Sequence, residues 1–243
     1  MQLSSSKFKD HYKGFASTYD ELRDNRNRAT AQYSCSQVKW VCEQFKNHEE
    51  IIEFGCGTGK FTIPLAKLGK KVIAYDASDE MLEIVKDKAE KEGVLDMISL
   101  RVGDIENIDL EDNSCDAVLS IAVIRHFESE ARAIMELSRI IRSEGVLVTD
   151  YLSKIYFGGI EAIKSLFGLG KHTKGGQWYP NYYRSKSEFC NILNINGLYQ
   201  TRFEHFVFLP TFITNSLGLF KFIRFVEHKL GLGGVVYVRL TKE

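Results

Sequence analysis

Glu53-Phe54-Gly55-Cys56-Gly57-Thr58-Gly59 follows the apolar pair Ile51-Ile52 and precedes a segment that reads as a helix. An apolar strand, a glycine turn and a helix start bring a nucleotide-like ligand close to the backbone. Glycines at alternate positions remove the β-carbons that would block that approach and permit a left-handed turn. The start of a helix adds free N–H groups and a partial positive charge.

Spacing separates the possible ligands. A dinucleotide turn has the form G-x-G-x-x-G. Gly55 and Gly57 fit it, but the third glycine falls at Gly59, and Lys60 stands where the fingerprint has glycine. A phosphate-cradling loop of the form G-x-x-x-x-G-K-[ST] occurs nowhere in the chain. What stands at 53–59 is acid-x-G-x-G-x-G. It resembles motif I of the class I S-adenosylmethionine (SAM) dependent methyltransferases, in which the turn lies against the methionine part of the cofactor.

Bulk properties narrow the class. The chain has 243 residues, enough for one large α/β domain, with 44% hydrophobic and 26% charged residues. Its formal net charge is zero, which argues against a nucleic-acid partner. Five cysteines with no C-x-x-C read as reduced, mostly buried thiols rather than disulfides or a metal site. The first residues lack a signal-peptide core, and no uncharged apolar run is long enough to span a bilayer. A cytoplasmic protein without a metal is the expectation.

Strands and helices alternate from residue 49 onward. Strands are expected at Glu50–Phe54, Lys71–Tyr75, Met97–Val102, Ala117–Ala122 and Gly145–Asp150. Helices are expected at Thr58–Leu68, at Asp79–Glu92 behind a Ser78 or Asp79 cap, and at Ser129–Arg142. Apolar runs between amphipathic helices imply right-handed β-α-β crossovers and a parallel sheet covered on both faces. Residues 1–48 read as mostly helical, and 151–182 have no clear period. Ser185–Asn196 and Leu217–Leu230 read as helices, and Tyr199–Leu209 and Val235–Leu240 as strands.

Further pieces follow the glycine turn in order. Asp76 stands just past the second strand, in Tyr75-Asp76-Ala77-Ser78-Asp79-Glu80-Met81-Leu82. A carboxylate there can accept hydrogen bonds from both ribose hydroxyls, as in dinucleotide folds. Gly103-Asp104-Ile105 follows the third strand, where a carboxylate can accept from an adenine amino group. Cys115-Asp116-Ala117-Val118-Leu119-Ser120 runs into the fourth strand, and Ile124-Arg125-His126-Phe127 lies beyond it. Asp116, at the start of that strand, is read as structural. The series resembles the class I SAM-dependent methyltransferases, in the broad group that holds the quinone-biosynthesis enzymes and many small-molecule enzymes. The chain lacks the longer N-terminal signature of the quinone C-methyltransferases themselves.

The resemblance implies a Rossmann-like α/β fold of seven mostly parallel strands, the last antiparallel, with helices on both faces. It implies a single domain: an N-terminal helical lid over 1–48, a SAM-binding core over 49–150, acceptor-cap segments and late sheet elements over 151–230, and a final strand from 231. It implies SAM as the cofactor and S-adenosylhomocysteine (SAH) as its product. By the same resemblance, cofactor contacts fall on Glu53, Gly55, Cys56, Gly57, Gly59, Asp76, Ala77, Met81, Asp104, Ile105 and Ile121. The leading segment Phe15-Ala16-Ser17-Thr18-Tyr19-Asp20 is similar to the group's short first helix, whose aromatic residue covers the cofactor; here that residue is Tyr19.

Transfer of a methyl group to a hydroxyl, phenol or carbon acid needs a base, and His126 is the candidate, with His172 and His205 weaker ones. Residues 151–243 hold more than half of the aromatic side chains, which suggests a cap over a small apolar or aromatic acceptor. Lys221, Arg224, His228 and Lys229 make the 217–230 helix basic on its polar side. A lid or a homodimer contact is the preferred reading of that helix over a membrane surface. The rival functions are an RNA or protein methyltransferase and a module that binds SAM or SAH without transfer. No Asn/Asp-Pro-Pro-Tyr type motif follows the fourth strand, which weakens the nucleic-acid version.

Overall fold

The computed structural model describes residues 19–20, 28–127, 130–154, 182–206 and 235–242. Helix α1 (Arg28–Gln44) leads into strand β1 (Glu50–Phe54). Helix α2 (Thr62–Lys67), β2 (Lys71–Asp76), α3 (Asp79–Lys91) and β3 (Ile98–Val102) follow. Then come β4 (Cys115–Ser120), α4 (Ala131–Ile140) and the long β5 (Ile141–Ser153). The two-residue β6 (Tyr183–Arg184), α5 (Lys186–Ile195), β7 (Leu198–Phe206) and β8 (Val235–Lys242) complete the described chain.

The strand order is β3-β2-β1-β4-β5-β8-β7, with β6 paired to β5 outside that path. Strands β1 to β5 pair in parallel, and β8 runs antiparallel to both β5 and β7. The order reverses between β1 and β4. In open α/β sheets that switch point leaves a crevice beyond the carboxyl ends of the strands. The expected architecture stands, with one addition: β6 makes an eighth strand. The last strand, antiparallel as expected, is inserted between β5 and β7.

Alternation along the strands builds two cores. Val72 and Ala74 of β2 join α1, α2 and α3 on one face, through Trp40, Phe45, Leu65 and Val85. Tyr75 of β2 and Val118 of β4 join α4 and α5 on the other, through Ile134, Leu137, Phe189 and Leu193. A strand that feeds both faces must be apolar on both sides, which is why β1 and β4 read as near-continuous apolar runs. Burial of this kind contributes about 25 cal/mol per Å² of apolar area.

Element ends follow local chemistry. Helix α3 starts where Ser78, as N-cap, accepts from the Met81 N–H, and Gly93 follows it in left-handed geometry at φ +67°. Ser185 and Glu188 form a reciprocal capping box at the start of α5. Helix α2 begins four residues later than expected, at Thr62. Gly59, at φ +83°, donates to the Cys56 carbonyl at 2.9 Å and keeps 56–59 as a turn. Strand β5 is longer than expected at both ends: Ile141 pairs with Cys115 of β4 at its start, and pairing with β8 and β6 carries it on to Leu152 and Ser153. The helix expected over 217–230, the unperiodic stretch 155–181 and the expected strand residues 207–209 lie outside the described residues, as does most of the N-terminal helical segment before α1.

Candidate functional site

The glycine turn is assembled by its neighbours. The Gly55 and Cys56 N–H groups both donate to the Tyr75 carbonyl of β2, at 2.7 and 3.0 Å. Gly55 has φ +73°, and a β-carbon there would sit 2.2 Å from Val123 Cγ2, so the loop after β4 packs directly on it. Gly57 has φ +53°, and a β-carbon there would meet no described residue within 4 Å. Its Cα therefore faces open space over the turn.

That space is a cleft enclosing about 790 Å³ of empty volume, open solvent included. It lies at the carboxyl ends of β1, β2 and β4. Gly55 and Gly57 form one wall; Asp76, Ala77 and Met81 form the next; Gly103, Asp104 and Ile105 continue it. Ile121, Ala122, Val123, His126 and Phe127 close the opposite side, and Tyr19 reaches the cleft from the N-terminal segment.

Asp76 joins the turn to α3. One carboxylate oxygen accepts from the Gly57 N–H at 2.8 Å and the other from the Ser78 N–H at 3.0 Å. A carboxylate offers about four acceptor positions, so Asp76 has acceptor capacity left for a ligand. Burial pushes the Asp76 carboxyl above its ordinary value of 3.8, while the Ser78, Gly57 and Ala77 N–H groups pull it back. Asp104 spends one oxygen on the Glu106 N–H at 2.9 Å. Its loop is held from α4, where Arg139 donates to the Ile108 and Leu110 carbonyls at 2.8 and 2.7 Å.

The opposite wall hangs on a buried carboxylate. Asp150 of β5 is fully buried; it accepts from the Ala122 N–H at 2.7 Å and from the Arg125 guanidinium at 3.1 Å. Burial raises its carboxyl, and Arg125 opposes that rise most. Ala122 sits at φ +62°, a left-handed conformation that a non-glycine residue adopts at a cost of about 1–2 kcal/mol. The short 3₁₀ turn Ile124–His126 follows, and the Arg125 carbonyl accepts from the Tyr182 N–H at 2.9 Å. The loop that carries His126 is thus tied to β5 and to the start of β6.

Nine of the expected cofactor contacts line the cleft: Tyr19, Gly55, Gly57, Asp76, Ala77, Met81, Asp104, Ile105 and Ile121, and His126 lines it with them. Three do not. Glu53 is 2% exposed and accepts from the Thr62 hydroxyl at 2.6 Å, fastening β1 to α2. The Cys56 thiol is buried and pushed well up by desolvation. A β-carbon on Gly59 would come within 3.2 Å of Ile63 and 3.4 Å of Val85, so this glycine serves close packing of α2 and α3. His172 lies outside the described residues. His205 sits on β7, paired with Val236, and does not line the cleft.

Phe54, Tyr75, Gly103, Ala122, Val123 and Phe127 line the cleft without having been singled out as contacts. Phe54 and Tyr75 end, or nearly end, their strands, so the carboxyl-end rule alone points to them. Their rings stack at 4.9 Å with 17° between planes. Among the described residues no cluster of three or more His, Cys, Asp and Glu side chains could hold a metal. No described helix is long and apolar enough to cross a membrane.

The sheet order, the glycine turn and the carboxylate after β2 define a Rossmann-like domain for an adenosyl-type cofactor. Residues 52–149 match the family model described as a methyltransferase domain, and this part of the chain belongs to the class I SAM-dependent methyltransferases. An uncharacterised methyltransferase of Mycobacterium bovis is 38% identical over 120 residues, 49% of this chain and 46% of its own. The malonyl-[acyl-carrier protein] O-methyltransferase of Priestia megaterium is 32% identical over 177 residues, 72% of this chain and 59% of its own. The chain spans about half the length of the curated relatives it matches. The magnesium protoporphyrin IX methyltransferase of Synechocystis, solved with bound SAH, shares the fold with a TM-score of 0.69 at 18% identity, over 98% of this chain and 99% of its own.

The cleft fits SAM on its own features. Among the described residues open space stands over Gly57, where a ligand can reach backbone, and Asp76 keeps acceptor capacity beyond its bonds to amides.

Proposed function

We propose that this protein transfers the methyl group of SAM to oxygen, nitrogen or carbon of a small, apolar or aromatic organic molecule. The observation that carries this reading is Asp76, poised at the end of β2 with its carboxylate already oriented by Gly57 and Ser78. In this reading Asp76 accepts from the ribose hydroxyls, Asp104 accepts from the adenine amino group, and Ala77, Met81 and Ile105 pack against the base. Gly55 and Gly57 leave room for the methionine part, and Tyr19 covers it.

When bound, the sulfonium supplies an activated methyl group. The protein's part is alignment, because an in-line displacement gains much of its rate from holding the reacting groups collinear. His126, on the wall facing the glycine turn, takes a proton from a hydroxyl, phenol or carbon-acid acceptor. Phe127, Ile121 and Met81 give the cleft apolar sides and exclude water there.

The acceptor reading has topological support. Strand β5 ends at Ser153, β7 ends at Phe206 and β8 begins at Val235, with Leu152 and Phe206 both registered on Val235. The described residues that flank 155–181 and 207–234 therefore stand at the end of the sheet that carries the cleft. Segments at that position are suited to select an acceptor. The N-terminal segment as a lid, a cytoplasmic setting and a homodimer contact belong to the same proposal.

Incubation with methyl-labelled SAM and fractionated cell extract tests the acceptor class. Label in small organic molecules is expected; label confined to RNA or protein overturns it, and SAM binding without transfer to any fraction points to a non-transferring module. Once an acceptor is in hand, His126→Ala is expected to lower turnover at least ~10²-fold, as for loss of a general base. Near-normal turnover would remove that role.

A further inference from the structure

A second cavity lies behind the wall that carries His126. It encloses about 210 Å³ of empty volume, open solvent included, and Phe127 lines both it and the cleft. Ile124, Arg125 and His126 form one 3₁₀ turn. Ile124 and Arg125 line the cavity, whereas His126 lines the cleft. The turn thus presents His126 to one space and Arg125 to the other. Tyr151 of β5 and Phe189 of α5, with ring centres 4.7 Å apart, add an aromatic wall to the cavity.

Two arginine–carboxylate pairs complete the lining. Arg184 of β6 donates to the two oxygens of Glu130 at 2.8 and 2.6 Å, and Arg125 donates to Asp150 at 3.1 Å. In each pair the carboxylate lies deeper. The Asp150 and Glu130 side chains are 0% and 6% exposed, those of Arg125 and Arg184 20% and 21%. Both pairs therefore turn their positive ends to the accessible side. A guanidinium carries five N–H donors. Among the described residues the Arg125 guanidinium spends one, on Asp150, and its Nε is buried without a partner. Donors left unmade in a partly buried site are costly. Each carboxylate already faces an arginine, so what the cavity is short of is acceptors. Burial pushes the Tyr151 hydroxyl up to about 12, so it keeps its proton as a further donor.

We propose that this second cavity is an acceptor subsite for a carboxylate, and that the molecule methylated in the cleft is an organic acid anchored by Arg125. Two oxygens in one plane match the fork of a guanidinium. The apolar body of the acid passes Phe127 and brings the methyl-accepting atom beside His126. The carboxylate is a handle and is not itself methylated. This inference narrows the acceptor of the proposed function and rests on that reading.

Three measurements test it. Label passed from methyl-labelled SAM to small molecules of a cell extract is expected in products that mass spectrometry identifies as carboxylic acids. Label confined to small molecules without a carboxyl group overturns the subsite and leaves the methyltransferase in place. No transfer to small molecules overturns the proposed function, and the subsite with it. In the wild-type protein bound to SAH, benzoate is expected to shift the Arg125 Nε–H signal in nuclear magnetic resonance spectra in a saturable way, and benzamide is not. No shift with benzoate, as for a cavity that holds water alone, or an equal shift with benzamide overturns the subsite. Wild type is expected to turn over an acidic acceptor at least about tenfold more efficiently, in kcat/KM, than its carboxamide, the scale of one charge-assisted hydrogen bond. Arg125→Gln combined with Asp150→Asn removes both charges of the pair and keeps groups that can hydrogen-bond. It is expected to erase that preference, with thermal unfolding as the check on folding. A preserved preference in the folded double variant overturns the role of Arg125; should the variant not fold, the wild-type spectra decide.

Discussion

The two walls of the cleft are held by different means. The wall from β1 to α3 is held by backbone amides: Gly55 and Cys56 bond to the Tyr75 carbonyl, and Gly57 and Ser78 to the Asp76 carboxylate. The wall after β4 depends on Asp150, 28 residues beyond Ala122 in the chain, and on a charge pair buried under the loop. The first wall spends its carboxylate on amides and keeps acceptor positions for a ligand. The second spends its carboxylate on the protein itself. Asp76, bonded to amides alone, is left able to bind, whereas Asp150, which takes the half-buried Arg125 guanidinium as well as the Ala122 amide, braces.

Removing each carboxylate separates these roles. Asp150→Ala leaves the half-buried Arg125 without its partner and Ala122 without its acceptor. A loss of about 3–5 kcal/mol in stability is expected, the scale for breaking a buried pair, or roughly 10 °C in Tm for a chain of this size. Thermal unfolding checks it. An unchanged Tm would mean that the loop after β4 stands without its brace.

Asp76→Ala is expected to act on binding instead. Loss of at least ~10²-fold in SAM affinity by calorimetry corresponds to two charge-assisted hydrogen bonds, with a smaller change in Tm than for Asp150→Ala. Equal losses of stability in the two variants would erase the distinction between the walls.

Gly57→Ala sharpens the comparison within the first wall. Its left-handed φ makes alanine cost about 1–2 kcal/mol, and no atom of the described residues blocks the new methyl. Gly69 is the control, with φ +77°, nothing near an added β-carbon and no place in the cleft. Both alanine variants are expected to lower Tm by similar amounts. Only Gly57→Ala is expected to weaken SAM binding, by about tenfold, because its methyl enters the space where a ligand meets the turn.

The smallest effect is in pH. Burial raises the Asp76 carboxyl above 3.8. As pH falls through the raised value the acid takes up its proton and ceases to be a charged acceptor. SAM affinity is therefore expected to be full above that value and to decline below it, at a higher pH than an ordinary carboxylate would give. Folding runs the other way, since the native state holds this proton more tightly than the unfolded chain. The carboxyl's contribution to stability is greatest below 3.8 and falls as pH rises through the raised value. Asp76→Asn is expected to remove the acid limb of the binding profile; persistence of that limb would assign it to another group.

The same contrast explains what the sequence disclosed. Strand β1 falls where expected because Ile51-Ile52 and Gly55 bound it within a few residues. Motif spacing likewise brought Asp76, Asp104 and the loop through His126 to one cleft. The misplaced start of α2 arose at Gly59, where helix propensity at Thr58 yields to a turn that packs on Val85 of α3. Strand β6 has two residues and no pattern of its own; it exists through its pairing with Leu152 and Ser153. Glu53 and Asp76 are both acids at strand ends. Only the fold shows that Glu53 turns to Thr62 while Asp76 faces the cleft. The brace at Asp150 had no local signature, since its partners are a left-handed alanine and an arginine in a different loop.

Calorimetric titration of the wild-type protein with SAM, SAH, NAD and NADP, repeated on Asp76→Ala, tests most directly whether the cleft beside the glycine turn takes an adenosyl sulfonium. Saturable binding of SAM and SAH, none of either nicotinamide nucleotide, and severe weakening in Asp76→Ala are expected. Binding of NAD or NADP with none of SAM or SAH, or undiminished SAM binding by Asp76→Ala, would contradict it.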